Sequence, residues 1–242
     1  MYRRVGIDAI FNVLMQTILL LHGATGASPQ LYPLAQALCG KYKVFTLDFS
    51  GHGGRAYSGE PYSMRLFADD VLQFMEQHQI AKVSIFGYSL GGYVGIYLAK
   101  HYPEKVDRVI TLATKFNWDE ATAAREIKML DPVKIAEKLP DFAKTLEKRH
   151  APDDWKDVLA KTRDLMIALG NDNTLKINDY AEINTPVMVL IGDRDKMVSL
   201  DETVRVYKAL PNAQFCVVPN TAHPVEQIDA ELFRYLIARF LA

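Results

Sequence analysis

A chain of 242 residues is long enough for one large α/β domain, or for a core that carries an inserted subdomain. Apolar residues make up 49% and charged residues 24%, which fits a folded globular protein and excludes a disordered one. A formal net charge of -1, with no long like-charge block, gives no reason to expect a nucleic acid or an anionic membrane as partner.

The N-terminal stretch "MYRRVGIDAIFNVLMQTILLLHG" sets Arg3 and Arg4 before an apolar run. Asp8, Asn12 and Gln16 interrupt that run and no small-residue cleavage site follows, so it reads as strands and not as a signal peptide. No stretch reaches the ~18 apolar residues a membrane span needs. "TILLLHG" and "KVFTLDF" are continuous apolar or β-branched runs, the pattern of strands buried on both faces. "KVSIFG", "VDRVITLA", "TPVMVLIG" and "AQFCVVP" repeat it. Amphipathic helices lie between them. In "SPQLYPLAQALCGKY", Leu31, Leu34, Ala35 and Leu38 share a face, with Ser28 as candidate N-cap and Pro29 in the first turn. Phe67, Val71, Phe74 and Met75 follow at helical spacing, and "DETVRVYKALP" and "EQIDAELFRYLIARFLA" complete the series. Strand and helix in alternation predict a mostly parallel central sheet flanked by helices.

The rhythm breaks from Thr114 to Glu182, where no strand pattern occurs. "DPVKIAEKL", capped by Asp131 and Pro132, "DFAKTLEKRH" and a helix ending at Gly170 predict a helical cap inserted over one edge of the sheet. The predicted division is a core of 1–113 and 183–242 with a cap of 114–182. Phe116, Trp118, Phe142, Trp155 and Met166 either face a ligand or dock the cap onto the core. Cys39 and Cys216 lie in apolar segments and read as two buried free thiols, which predicts a reduced, cytoplasmic setting.

The chemistry concentrates in "FGYSLGG". Gly87-Tyr88-Ser89-Leu90-Gly91 has the G-x-S-x-G spacing of a tight strand-to-helix elbow, with small residues two before and two after the serine. Such a turn strains the serine backbone and lifts its oxygen clear of the sheet. The helix that starts at once points its N-terminal amides at the site. The G-x-G-x-x-G spacing of a dinucleotide site and the G-x-x-x-x-G-K-[ST] phosphate loop are both absent here. A serine needs a base. His223, in "VVPNTAHPVEQ", follows a predicted strand at the end of the sheet where open α/β folds bind ligands. His52, in "DFSGHGG", is its main competitor, but it sits between glycines in a turn expected to be mobile. His78, His101 and His150 lie near helix ends among polar residues and read as solvated. A base in turn needs a carboxylate to hold its tautomer. "VMVLIGDRDKMVS" offers Asp193 and Asp195, of which Asp195 is preferred.

With these segments in hand, the sequence resembles the α/β-hydrolase fold superfamily over nearly its whole length. The match rests on "LLLHGATG", "DFSGHG", "GYSLGG", "GDRDKMV" and "TAHPVEQ" in that order, and on the Ser, Asp, His chain order of that fold. The resemblance implies Ser89 as nucleophile, His223 as base and Asp195 as acid. It also implies oxyanion-hole amides from Ala24 and Leu90. It implies an esterase-like serine hydrolase acting on a small-molecule substrate, with no cofactor and no metal. A menaquinone-pathway lyase, which carries Arg where this chain has Tyr93, a carbon–carbon bond hydrolase, an acyl-thioester hydrolase and a slow or non-catalytic ligand receptor are the alternatives. The leading hairpin usual in the superfamily is expected to be short.

Overall fold

The computed structural model describes residues 15–242. The strand reading of the N-terminal stretch and the short leading hairpin fall on residues 1–14, outside the described residues.

The six apolar runs form six strands, β1 (Thr17–Leu21), β2 (Lys43–Leu47), β3 (Val83–Tyr88), β4 (Val106–Leu112), β5 (Val187–Gly192) and β6 (Ala213–Val218). They make one sheet in the order β2-β1-β3-β4-β5-β6, with every neighbouring pair parallel. Parallel pairing requires crossover helices, and these cover both faces. The strand period of two sorts side chains accordingly. Leu19 and Leu21 of β1, Ile85 of β3, Val109 of β4 and Val189 of β5 enter one hydrophobic core. Ile18 and Leu20, Phe86, Ile110 and Leu190 enter the other. The first core is closed by α2 (Met64–Gln77), α3 (Leu90–His101) and α9 (Leu200–Ala209). The second is closed by α1 (Tyr32–Leu38) and α10 (Ala230–Leu241).

The strand order reverses after β2, so β1 and β3 are neighbours whose following helices pass to opposite faces. That opens a crevice beyond their carboxyl ends. The loop after β1 and the Ser89 elbow after β3 both lie there.

Between β4 and β5 the described residues contain helices and no strand: α4 (Glu120–Glu126), α5 (Pro132–Lys138), α6 (Pro140–His150), α7 (Trp155–Asn171) and α8 (Ile177–Tyr180). Ile135, Leu146, Trp155 and Leu159 form a small core of their own, while Leu165 and Leu169 of α7 bind this segment into the first main core. The Asp131 side chain caps α5 by accepting from the amides of Val133 and Lys134 at 3.1 and 3.2 Å. Helix α4 went unread in the sequence, although Asp119, which accepts from Thr122 N at 2.7 Å, is its N-cap signal.

Three expectations are corrected. Cys39 is exposed in the turn after α1, and Cys216 is only partly buried on the edge strand β6. The N-cap at the start of the 28–31 turn is Ala27, not Ser28, whose amide is used by Asp48 Oδ1 at 2.6 Å. His150 is completely buried, because α6 ends against two loops of the core. Phe116 and Trp155 turn out to be packing residues.

Leu19 is fully buried on β1, between the edge strand β2 and β3. Leu19→Ala is expected to lower the unfolding free energy by about 2–5 kcal/mol in a urea titration, with the slope of the transition unchanged.

Candidate active site

Ser89 occupies the turn between β3 and α3 with φ 51° and ψ -115°. A non-glycine residue with positive φ is costly and persists only where surroundings enforce it. The enforcing contacts are visible. Ser89 N donates to Leu112 O of β4 at 2.8 Å, and Thr114 Oγ1 donates to Ser89 O at 3.0 Å. A methyl group at Gly87 would overlap the backbone of Gly91 and Gly92, and one at Gly91 would overlap the carbonyls of Leu21 and His22. Those two positions must therefore be glycine for the elbow to sit against the end of β1.

His223 lies in the loop after β6. Its Nδ1 is 2.8 Å from Asp195 Oδ2, and the Asp195 side chain is 1% exposed. Asp195 Oδ1 accepts from the amides of Met197 and Val198 at 2.8 and 2.9 Å. Burial pushes this carboxyl's pKa up, but the His223 bond and the two amides outweigh it and hold the group below its ordinary value. Asp195 is thus an ionised acceptor that leaves Nδ1 of His223 as donor and Nε2 with a lone pair. Asp193 is a different kind of residue. It is exposed and accepts from Thr221 N at 3.0 Å, as a turn aspartate does.

Ser89, His223 and Ala24 line one cavity of about 580 Å³. Its other walls are largely apolar: Trp118, Ile135, Leu159 and Met166 from the helical segment, with Met129, Leu139 and Phe142 toward solvent. Of the five large side chains singled out in the sequence, Trp118, Phe142 and Met166 face this space. Ala24 belongs to the loop after β1 and Leu90 opens α3. Among the described residues, neither amide donates to a backbone or side-chain acceptor.

Three further histidines crowd behind the loop after β1, of which His22 was not singled out in the sequence. His22 Nε2 accepts from Phe49 N at 3.2 Å, so its proton sits on Nδ1, which donates to Gly23 O at 2.8 Å. His150 Nδ1 accepts from Gly53 N at 3.2 Å, so its Nε2–H donates to Thr25 O at 3.0 Å. His52 is neither mobile nor at the cavity. It is fully buried, its Nδ1 bonds Ser50 O at 3.1 Å, and its ring stacks on Tyr62 at 5.0 Å. Burial lowers the pKa of all three, that of His22 to about 4. No group of metal-ligating side chains occurs among the described residues, and no described helix is long and apolar enough to cross a membrane.

Known proteins bear on this arrangement. Residues 16–132 match the family model of the alpha/beta hydrolase fold, and the sheet order and elbow agree with it. The chain has the α/β-hydrolase fold. A Bacillus subtilis relative, provisionally named 2-succinyl-6-hydroxy-2,4-cyclohexadiene-1-carboxylate synthase, is 25% identical across 93% of this chain and 90% of its own. An Agrobacterium fabrum relative, provisionally named a carbamate hydrolase, is also 25% identical, across 93% and 92%. A thermophilic esterase from Thermogutta terrifontis shares the α/β-hydrolase fold with a TM-score of 0.77 at 21% identity, covering 93% of this chain and 89% of that one.

The buried neutral histidines set an acid limit on this hydrolase fold. A histidine held neutral in the fold and free to protonate when unfolded costs stability as pH falls below 6.5, and the loss levels off near the folded value, about 4 for His22. His22 alone accounts for about 3 kcal/mol of that loss. His22→Gln is expected to flatten the fall in stability between pH 6.5 and 4, read by urea unfolding at successive pH values.

Proposed function

We propose that the chain is a serine hydrolase that cleaves a carboxylic ester, or a related acyl bond, of a small molecule through an acyl-enzyme intermediate. The observation that carries this reading is the enclosed Asp195–His223 pair at 2.8 Å, with His223 sharing a cavity with the strained Ser89. Ser89 Oγ attacks the substrate carbonyl carbon while His223 Nε2 takes its proton. The oxyanion is received by the amides of Ala24 and Leu90. His223 then gives the proton to the departing alcohol, and water, activated by the same histidine, releases the acid and restores Ser89. Asp195 stays ionised and stabilises the imidazolium. The segment 114–182 acts on this reading as a cap that limits what enters.

The Bacillus subtilis relative raises the lyase alternative, in which the same histidine and serine would serve proton abstraction. Tyr93 speaks against it here. Where an arginine would be expected in that class, Tyr93 is 1% exposed and does not line the cavity. Its hydroxyl donates to Asn173 Oδ1 at 2.6 Å and accepts from Leu175 N at 2.9 Å. The side chain fastens α3 to the segment after α7 and offers nothing to a substrate.

Turnover of p-nitrophenyl esters is the direct test. Ser89→Ala is expected to lower kcat by about 10⁶-fold, and Asp195→Asn by about 10³–10⁴-fold because His223 loses its tautomer. Wild-type enzyme without multiple turnover, or a Ser89→Ala variant with unchanged kcat, would sink the proposal. The apolar walls lead to a second expectation. Hexanoate is expected to exceed acetate in kcat/KM by up to about 200-fold, since each of its four extra methylenes contributes about 0.8 kcal/mol when buried. Met166→Lys, which sets a charge on that wall, should erase most of the difference.

A further inference from the structure

The loop that carries Ala24 is held from two sides. On the inner side, Gly23 O accepts from His22 Nδ1 at 2.8 Å and from Gly26 N at 3.0 Å. Gly23 O belongs to the same rigid peptide plane as the Ala24 amide, so holding one aims the other. On the outer side, Thr25 O accepts two bonds from consecutive residues at the end of α6. Arg149 Nη1 donates at 3.0 Å and His150 Nε2 at 3.0 Å. Thr25 itself stands at φ 54°, a conformation a β-branched residue adopts only under constraint. The carbonyl that would swing if Thr25 relaxed is the one these two side chains grip.

The grip extends to the loop of the base. Arg149 Nη2 reaches Glu226 Oε1 at 3.3 Å, three residues beyond His223. The same oxygen accepts from Gln30 Nε2 at 2.5 Å, and Gln30 Oε1 accepts from Ala27 N at 2.9 Å. The chain of contacts thus leaves the Ala24 loop at Thr25 and returns to its far end at Ala27. His150 is wholly buried, and Gly53 N holds its other nitrogen, so its aim is set by the core. Leu146 holds α6 within the small core of the helical segment itself, while Arg149 and His150 carry its polar contacts to the Ala24 loop.

We propose that Arg149 and His150 are positioning residues. They hold the Ala24 amide in the orientation an oxyanion requires, so that this half of the hole is complete only while the helical segment is seated on the core. The proposal rests on the serine-hydrolase reading for its chemistry, but the grip on the loop can be measured without turnover.

Two measurements on the full chain decide it, with Arg149→Met, Arg149→Lys and His150→Gln. The first is hydrogen exchange at Gly26 and Ala27, whose amides are bonded within the gripped loop. Arg149→Met is expected to speed their exchange about tenfold or more with the melting temperature little changed, and Arg149→Lys to recover much of the protection. The second compares a hexanoate ester with a trifluoromethyl ketone of the same chain. The ketone adds to Ser89 Oγ, passes the serine proton to His223, and so carries a true oxyanion. Arg149→Met and His150→Gln are expected to lower kcat by about 10–100-fold. Ketone affinity should fall in proportion, with KM for the ester held. Loop exchange equal to wild type in both Arg149→Met and His150→Gln overturns the proposal. So does a rise in KM at unchanged kcat, which would make Arg149 a substrate-binding residue. A wild-type protein that turns over no acyl ester defeats the serine-hydrolase reading alone, and exchange at Gly26 and Ala27 then still decides the grip.

Discussion

The backbone of Ser89 is the constraint around which the site is arranged. Holding a serine at φ 51° and ψ -115° costs on the order of 1–3 kcal/mol, and the cost is borne by contacts that come from three different strands. β4 supplies Leu112 O and, just beyond it, Thr114 Oγ1. β3 supplies Gly87, whose missing side chain lets α3 begin immediately. β1 supplies the carbonyls of Leu21 and His22, which leave no room for a methyl group at Gly91. The tight packing that forces the serine oxygen upward also brings the amide end of α3 against the loop after β1. The strained serine turn and the amide end of α3 beside the loop after β1 are therefore consequences of one close approach, made where the strand order reverses.

The strands were legible because a strand buried on both faces has no choice of residue type. Runs such as "TILLL" and "VMVLIG" carry that signature without context. The pairing of Asp195 with His223 was legible for a related reason: each follows a strand, and a parallel sheet delivers all such loops to one end. What stayed hidden depends on long-range meetings. His150 ends a helix among charged residues, and nothing local distinguishes it from His78 or His101, which are exposed. Its burial is decided by Thr25 and Gly53, which lie 125 and 97 residues away. Cys39 misled in the opposite direction. Its apolar neighbours Leu38 and Tyr42 are buried, while the thiol itself sits on the outer side of the turn.

Two opposite electrostatic solutions stand within this small region. Asp195 keeps its charge although its side chain is enclosed, since three donors replace the water it has lost. His22 and His150 give up theirs, because each ring must accept from a backbone amide and only a neutral imidazole can do so. Charge is thus retained on Asp195, beside His223. Behind the Ala24 loop the two neutral rings serve as fixed donors to Gly23 O and Thr25 O. Protonating His22 would cost the Phe49 bond as well as the desolvation already visible in its lowered pKa.

The helical segment is then more than a filter over the cavity. It reaches the core at two chemically different places. Tyr93, Asn173 and Leu175 join it to the elbow helix through a buried hydroxyl that accepts one bond and donates one. Arg149 and His150 join it to the opposite loop through a single shared carbonyl. At the first junction the Tyr93 hydroxyl is buried and Asn173 is partly buried. At the second, Glu226 is half exposed and Arg149 is 13% exposed, which leaves its ion pair open to competition by water and salt. The more exposed junction is the one that grips the loop bearing Ala24, so helical segment and loop are tied together through Thr25 O.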